Sequence, residues 1–151
     1  MISSTAEFHS VIGAAVTAAF YDVIEEAYRE LQRHVLSDIY GAYYPTDYVG
    51  SGMPLIDSWR RQVTHLAAEL SFEPNMLPCA PESWIHGSKY DGGDTRSAIL
   101  DILASGYGAF NNITGKRIPA RPMWDKFMVD CEAKMDGWIR KALLAQGLPV
   151  V

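Results

Sequence analysis

Apolar residues in the first forty positions step by three or four: Phe20, Ile24, Ala27, Leu31, Val35 and Ile39 share one side of a helix. Glu25, Glu26, Arg29, Glu30 and Arg33 cover the opposite side. There Glu25 and Arg29 are spaced to attract, and Glu26 and Glu30 to repel. The spacing predicts a helix over residues 7–44, with a bend or interruption near Gly13. Unbroken, it would reach roughly 55 Å. That is long for 151 residues, so it either wraps a sheet or extends beyond the domain to meet a neighbour. Tyr40-Gly41-Ala42-Tyr43-Tyr44-Pro45 closes it, and residues 45–54 read as a loop centred on Gly50-Ser51-Gly52.

Beyond the loop the pattern shortens. Leu55 to Arg61 leads into Val63 to Phe72, which reads as a strand, although Ala67-Ala68 also suits a helix. Pro74, Pro78 and Pro81 make a turn-rich connection that cannot be a central strand. Ser83 to Gly87 reads as a second short strand, and Tyr107 to Ile113 as a further strand or a loop. Asp94 to Ser105 reads as a short helix, with Asp94 as N-cap and Gly106 as its stop. Helical spacing then returns at Trp124, Phe127, Met128, Cys131, Met135, Trp138, Ala142 and Leu143. This predicts a helix over residues 122–146, with Pro122 in its first turn and Gly147 and Pro149 as its stop. Strands grouped between two long helices imply an α+β fold: a single domain with long terminal helices on a small antiparallel sheet, a short helix between them, and the sheet region at 55–118.

Before the last helix, Pro119 and Pro122 bracket Ala120-Arg121, holding this stretch extended. The segment Lys116-Arg117-Ile118-Pro119-Ala120-Arg121-Pro122-Met123-Trp124 is basic and rigid. It suits a device for fixing one element against another better than a catalytic loop.

Charge refines this picture. Residues 1–115 carry 14 acidic and 6 basic side chains, whereas residues 116–151 carry 4 and 7. An acidic body with a basic tail suits self-association, a complementary partner, or a tail folded back on its own body. The short basic cluster in a chain of net charge −5 argues against nucleic acid as principal ligand. No apolar run approaches the roughly 18 residues that a membrane span needs. The N-terminal residues lack the basic region of a secretory signal, and Cys79 and Cys131 form neither a CxxC motif nor a disulfide framework. Synthesis in a reducing compartment is the expectation.

Candidate chemistry is sparse. His9, His34, His65 and His86 have no ligand spacing, so no metal site is expected. His34 and Asp38 stand four apart and read as a surface pair, while Cys131 lies on an apolar stripe and reads as a core residue. Asp91-Gly92-Gly93-Asp94 resembles a calcium or phosphate loop but lacks the ligand pattern of either, and a turn with an N-cap explains it. The expectation is therefore no catalytic residues, no cofactor and no enzyme activity. A rival reading places a ligand or substrate among Asp57, His86, Asp91 and Asp94. Tyrosines crowd the end of the first helix. Tyr43, Tyr44 and Tyr48, together with Arg117 and Arg121, are the interface candidates, and Trp59, Pro119, Pro122 and Trp124 the structural anchors.

The order of these features resembles a known family. A long N-terminal helix is followed by Leu55-Ile56-Asp57-Ser58-Trp59, then Trp84-Ile85-His86-Gly87, then Asp94, Arg96 and Gly106. Pro119-Ala120-Arg121-Pro122-Met123-Trp124 precedes the last helix. This is similar to the tail-completion, or minor tail component, proteins of the head–tail neck of long-tailed bacteriophages. The resemblance implies a homo-oligomeric ring, six-fold to match the tail tube, between head-completion or connector proteins and the tail terminator. It also implies a place in the virion, host cytoplasm during assembly, and passage of DNA without specific binding. Another neck ring, a tail terminator or head-closure protein, would show the same features.

Overall fold

The computed structural model describes residues 4–41, 54–65, 67–77, 99–105 and 120–150. Helix α1 runs Thr5–His34 and continues into a π-helical segment, Val35–Tyr40. A short helix α2 (Pro54–Asp57), strands β1 (Trp59–Thr64) and β2 (Ala67–Phe72), and a 3₁₀ turn (Pro74–Met76) follow. Helices α3 (Ile99–Ser105) and α4 (Met123–Ala145) complete the order. The two strands form one sheet, antiparallel as their two-residue connection requires. The fold is α+β, as the pattern predicts.

Three local signals fix the helix ends. Helix α1 begins at Thr5, two residues before the predicted start, capped by Ser4, whose Oγ accepts from the Glu7 N–H at 3.2 Å. Ser4 and Glu7 have the spacing of a capping box. Gly41 ends the π segment, its N–H donating to Leu36 O. A Cβ there would sit 3.0 Å from the carbonyl oxygens of Leu36 and Ser37, so glycine is what fits. Gly147, at φ +75°, ends α4. Its N–H donates to Leu144 O and that of Leu148 to Leu143 O, the paired bonds of a Schellman stop.

Several expectations change. Gly13 does not interrupt α1; the irregularity lies at Val35–Tyr40. Residues 63–72 form not one strand but most of a hairpin turning at His65. Arg60, Arg61 and Gln62 are three polar residues in succession, all exposed, which hides the period-two signal of β1. Pro54, read as the end of the loop, opens α2. On α4, Met128 is 40% exposed while Met123 is buried. Met128 lies about 100° around the helix from Phe127 and so leaves the core stripe. The expected strands at 83–87 and 107–113, the loop 45–53, and both Asp94 and Gly106 lie outside the described residues.

The chain divides into two compact units. The first gathers Met1–Leu31, Arg60–Ser71 and Val129–Val151. In it α4 runs antiparallel to α1, because Lys134 pairs with Glu30 (2.9 Å) and Lys141 with Glu26 (3.4 Å). Ala19, Val23 and Ala142 are its buried centre, packed by Met135, Trp138, Ile139 and Leu143. The hairpin meets α1 where Thr17 Oγ1 donates to Gly13 O and His65 O. Farther along, Arg61 pairs with Glu25 at 2.8 Å and lies 4.3 Å from the Tyr28 ring centre.

The second unit gathers Gln32–Trp59 and Phe72–Met128. Val35, Ile39, Leu55, Ile56, Trp59, Leu77, Met123 and Phe127 are its buried apolar residues. Trp59 and Trp124 stack nearly parallel with centroids 5.2 Å apart; Phe72 lies against Trp59, and Phe127 against Trp124.

Candidate functional site

The second unit concentrates the polar side chains that sequence reading singled out. Asp38 sits on the π segment one turn after His34 and accepts from His34 Nδ1 at 3.3 Å, from Ser37 Oγ at 3.0 Å and from Lys126 Nζ at 3.3 Å. Burial pushes the Asp38 carboxyl up, but the hydrogen bonds from His34, Ser37 and Lys126 outweigh it and leave the group below its ordinary value. His34 is 4% exposed, not the surface residue that its spacing predicts. The Arg33 guanidinium, which can only donate, lies 2.9 Å from His34 Nε2. That contact makes Nε2 an acceptor and leaves Nδ1 to donate to Asp38.

Arg121 closes this arrangement. Its Nη1 donates to the Ile39 carbonyl at 3.2 Å, near the end of the π segment. Its backbone N–H donates to Leu103 O in α3 at 2.7 Å. One residue thus ties the π segment and α3 to the start of α4. Tyr40 adds a second tie, its hydroxyl oxygen accepting from the Leu55 N–H at 3.3 Å. Burial, opposed by that hydrogen bond and assisted by Asp57, raises the Tyr40 phenol above its ordinary value.

These environments disfavour proton or nucleophile chemistry at neutral pH. Asp38 is ionised and occupied as an acceptor. Cys131, in the first unit, is buried, and desolvation together with Glu30 and Asp130 pushes its thiol up to about 11 against a smaller opposing effect of Lys134. A thiol so raised is not the thiolate that nucleophilic catalysis uses.

The charge division has an internal answer in each unit. Lysines of the basic tail reach acids of the body: Lys134 to Glu30 and Lys141 to Glu26 in the first, Lys126 to Asp38 in the second. The expected Glu25–Arg29 pair is replaced by Glu25–Arg61 and Glu26–Arg29. Glu26 and Glu30 each have a lysine of their own, which offsets their mutual repulsion.

Of the predicted interface residues, Arg121 is the one described, and it is turned inward; Tyr43, Tyr44, Tyr48 and Arg117 lie outside the described residues. Of the anchors, Trp59 is buried, Trp124 half-buried and stacked on it, Pro122 exposed immediately before α4, and Pro119 outside the described residues. Among the rival ligand residues Asp57 is exposed at the end of α2, and His86, Asp91 and Asp94 lie outside the described residues.

A different surface feature lies in the first unit. Val16, Ala19, Phe20, Val23, Ile139 and Leu143 line an open apolar groove of about 170 Å³. Phe8 and Val11, earlier on α1, are about half exposed. Sequence reading begins the α1 stripe at Phe20; Phe8, Ile12, Ala15 and Ala19, at steps of four, three and four, form a second apolar face about 120° around the helix that it did not record.

The sequence matches no protein-family model, no curated protein and no solved structure. The functional reading therefore rests on the residues of this chain.

Proposed function

We propose that this chain is a structural subunit of the head–tail neck of a long-tailed bacteriophage, a tail-completion protein that works by assembling into a ring and catalyses nothing. The observation that carries the reading is the use made of Ala120 to Trp124, the most distinctive part of the resemblance. Arg121 is committed to the Ile39 carbonyl and Leu103, and Trp124 to the face of Trp59. Side chains so employed suit a scaffold: they fix the lead-in to α4, tying it to the π segment, to α3 and to Trp59.

On this reading the ring stands between connector or head-completion proteins and the tail terminator or tail tube. DNA passes through it without base-specific contacts, and the subunit reaches the virion from the host cytoplasm. No described helix is long and apolar enough to cross a membrane. The test is the native mass of the purified chain at rising concentration, with electron microscopy of the same fractions. About six copies around an open channel is the expected result. A monomer whose melting temperature rises with a small ligand, and whose rise is lost in Asp57→Ala, would replace this reading with a ligand-binding one.

A further inference from the structure

We propose that the π segment Val35–Tyr40 is a register switch: it has a second, α-helical register one residue away, and the lead-in to α4 selects between the two. A π turn closes its hydrogen bonds over one residue more than an α turn does, and such turns are rare, short and concentrated where a helix does something besides span a distance. Gly41 shows how close the other register lies. Its N–H donates to Leu36 O, five residues back, at 2.6 Å. A Cβ on Gly41 would stand 3.0 Å from that oxygen and 3.0 Å from Ser37 O, the acceptor four residues back that an α-helix uses. Both carbonyls therefore lie beside the same residue, and that residue has no side chain to hold its N–H to one of them.

The π register is held from outside the helix. In either register the Ile39 carbonyl is among the last four, which find no partner within a helix. Arg121 supplies that partner, its Nη1 donating at 3.2 Å. The Tyr40 hydroxyl oxygen accepts from the Leu55 N–H at 3.3 Å, and Lys126 meets the Asp38 carboxylate at 3.3 Å. Passing the Gly41 bond from Leu36 to Ser37 takes one residue out of the turn. The residues that follow then swing by about 100° around the helix axis. The Ile39 carbonyl and the Tyr40 hydroxyl cannot swing so far and keep their partners, so the bonds to Arg121 and Leu55 belong to the π register alone. Arg121 is in turn fixed by its backbone N–H, which donates to Leu103 O at 2.7 Å. The placement of the lead-in to α4 thus sets the direction in which the chain leaves Gly41. The switch lies within one chain and operates whether or not a ring forms.

The test is NMR of the full chain and two variants. The scalar coupling across the hydrogen bond reads which carbonyl accepts the N–H of position 41, and amide exchange reads the Leu55 bond. In the wild type the coupling should be to Leu36. Arg121→Ala removes the outside partner of the π register. Gly41→Ala leaves that partner in place, crowds the two carbonyls with a Cβ and favours α-helical backbone, so it decides the matter even if Arg121→Ala does not fold. In each variant the coupling should pass to Ser37, and the Leu55 N–H should exchange at least about tenfold faster while position 41 stays protected. A coupling that stays with Leu36 in either folded variant would overturn the proposal. Loss of protection at position 41 together with Leu55 would overturn it too, because that is fraying and not a change of register.

Discussion

Asp38 is held by an imidazole, a hydroxyl and an ammonium group, and those three bonds determine how its stability contribution depends on pH. Its folded value lies below the ordinary 3.8, so the contribution is fully present above that value and fades as pH falls through the lower, folded one. Asp38→Asn should cost about 1–2 kcal/mol at pH 7. The difference in melting temperature from wild type should hold through mildly acidic conditions and narrow only in strong acid. A difference that vanished already at pH 6 would contradict this assignment. Trp59 offers a second test at this scale, because its buried indole N–H finds no acceptor among the described residues. Trp59→Phe keeps an aromatic face against Trp124 and removes that unpaired donor, so it should cost less than about 1.5 kcal/mol. Trp59→Ala should cost about 3–5 kcal/mol in urea unfolding. Equal losses would mean that the indole N–H has a partner that matters. His34 shows why such sites are hard to read in advance. A polar residue at the edge of an apolar stripe looks solvated until the facing element is known, and here the Phe127 ring lies edge-on to it at 6.3 Å.

Among elements, the ends were legible because they depend on chemistry a few residues long. Gly147 stands where the sequence stops the last helix and Gly41 within the stretch that closes the first, whereas the Ser4–Glu7 cap, equally local, lies ahead of the start predicted at residue 7. The stripes of α1 and α4 were legible for the same reason, apart from Met123 and Met128, whose burial depends on what packs opposite. The hairpin was not, because β1 has one buried residue, Trp59, among six, and its other side chains give no alternation to follow. The π segment has no sequence signature beyond its closing glycine, and its Ile39 carbonyl is met from far along the chain by Arg121. Removing that donor should therefore be felt. Arg121→Ala should lower stability by about 1.5–3 kcal/mol in urea unfolding, and Arg121→Lys should restore part of the loss. An Arg121→Ala protein as stable as wild type would show that the Ile39 carbonyl does not need the guanidinium.

At the scale of the whole molecule, charge and apolar surface lead to different conclusions. The division into acidic body and basic tail looks like a drive toward association. Yet three tail lysines pair with acids of their own chain, and such pairs leave less charge to recruit a partner. On the proposed reading, what is left to meet a partner is apolar: half-exposed Phe8 and Val11 on α1, and the groove lined by Val16 to Val23. The candidate site was only partly legible. Arg121 was found from its flanking prolines, but its inward role depends on Ile39, 82 residues away. Phe8 and the groove were missed because exposure is a property of the fold and not of spacing. The central claim, that this chain functions by assembling, is tested most directly by its native mass across concentration. The account predicts a multimer near six copies that forms an open ring. A 16.8 kDa monomer at every concentration, with a ligand-dependent rise in melting temperature, would contradict it.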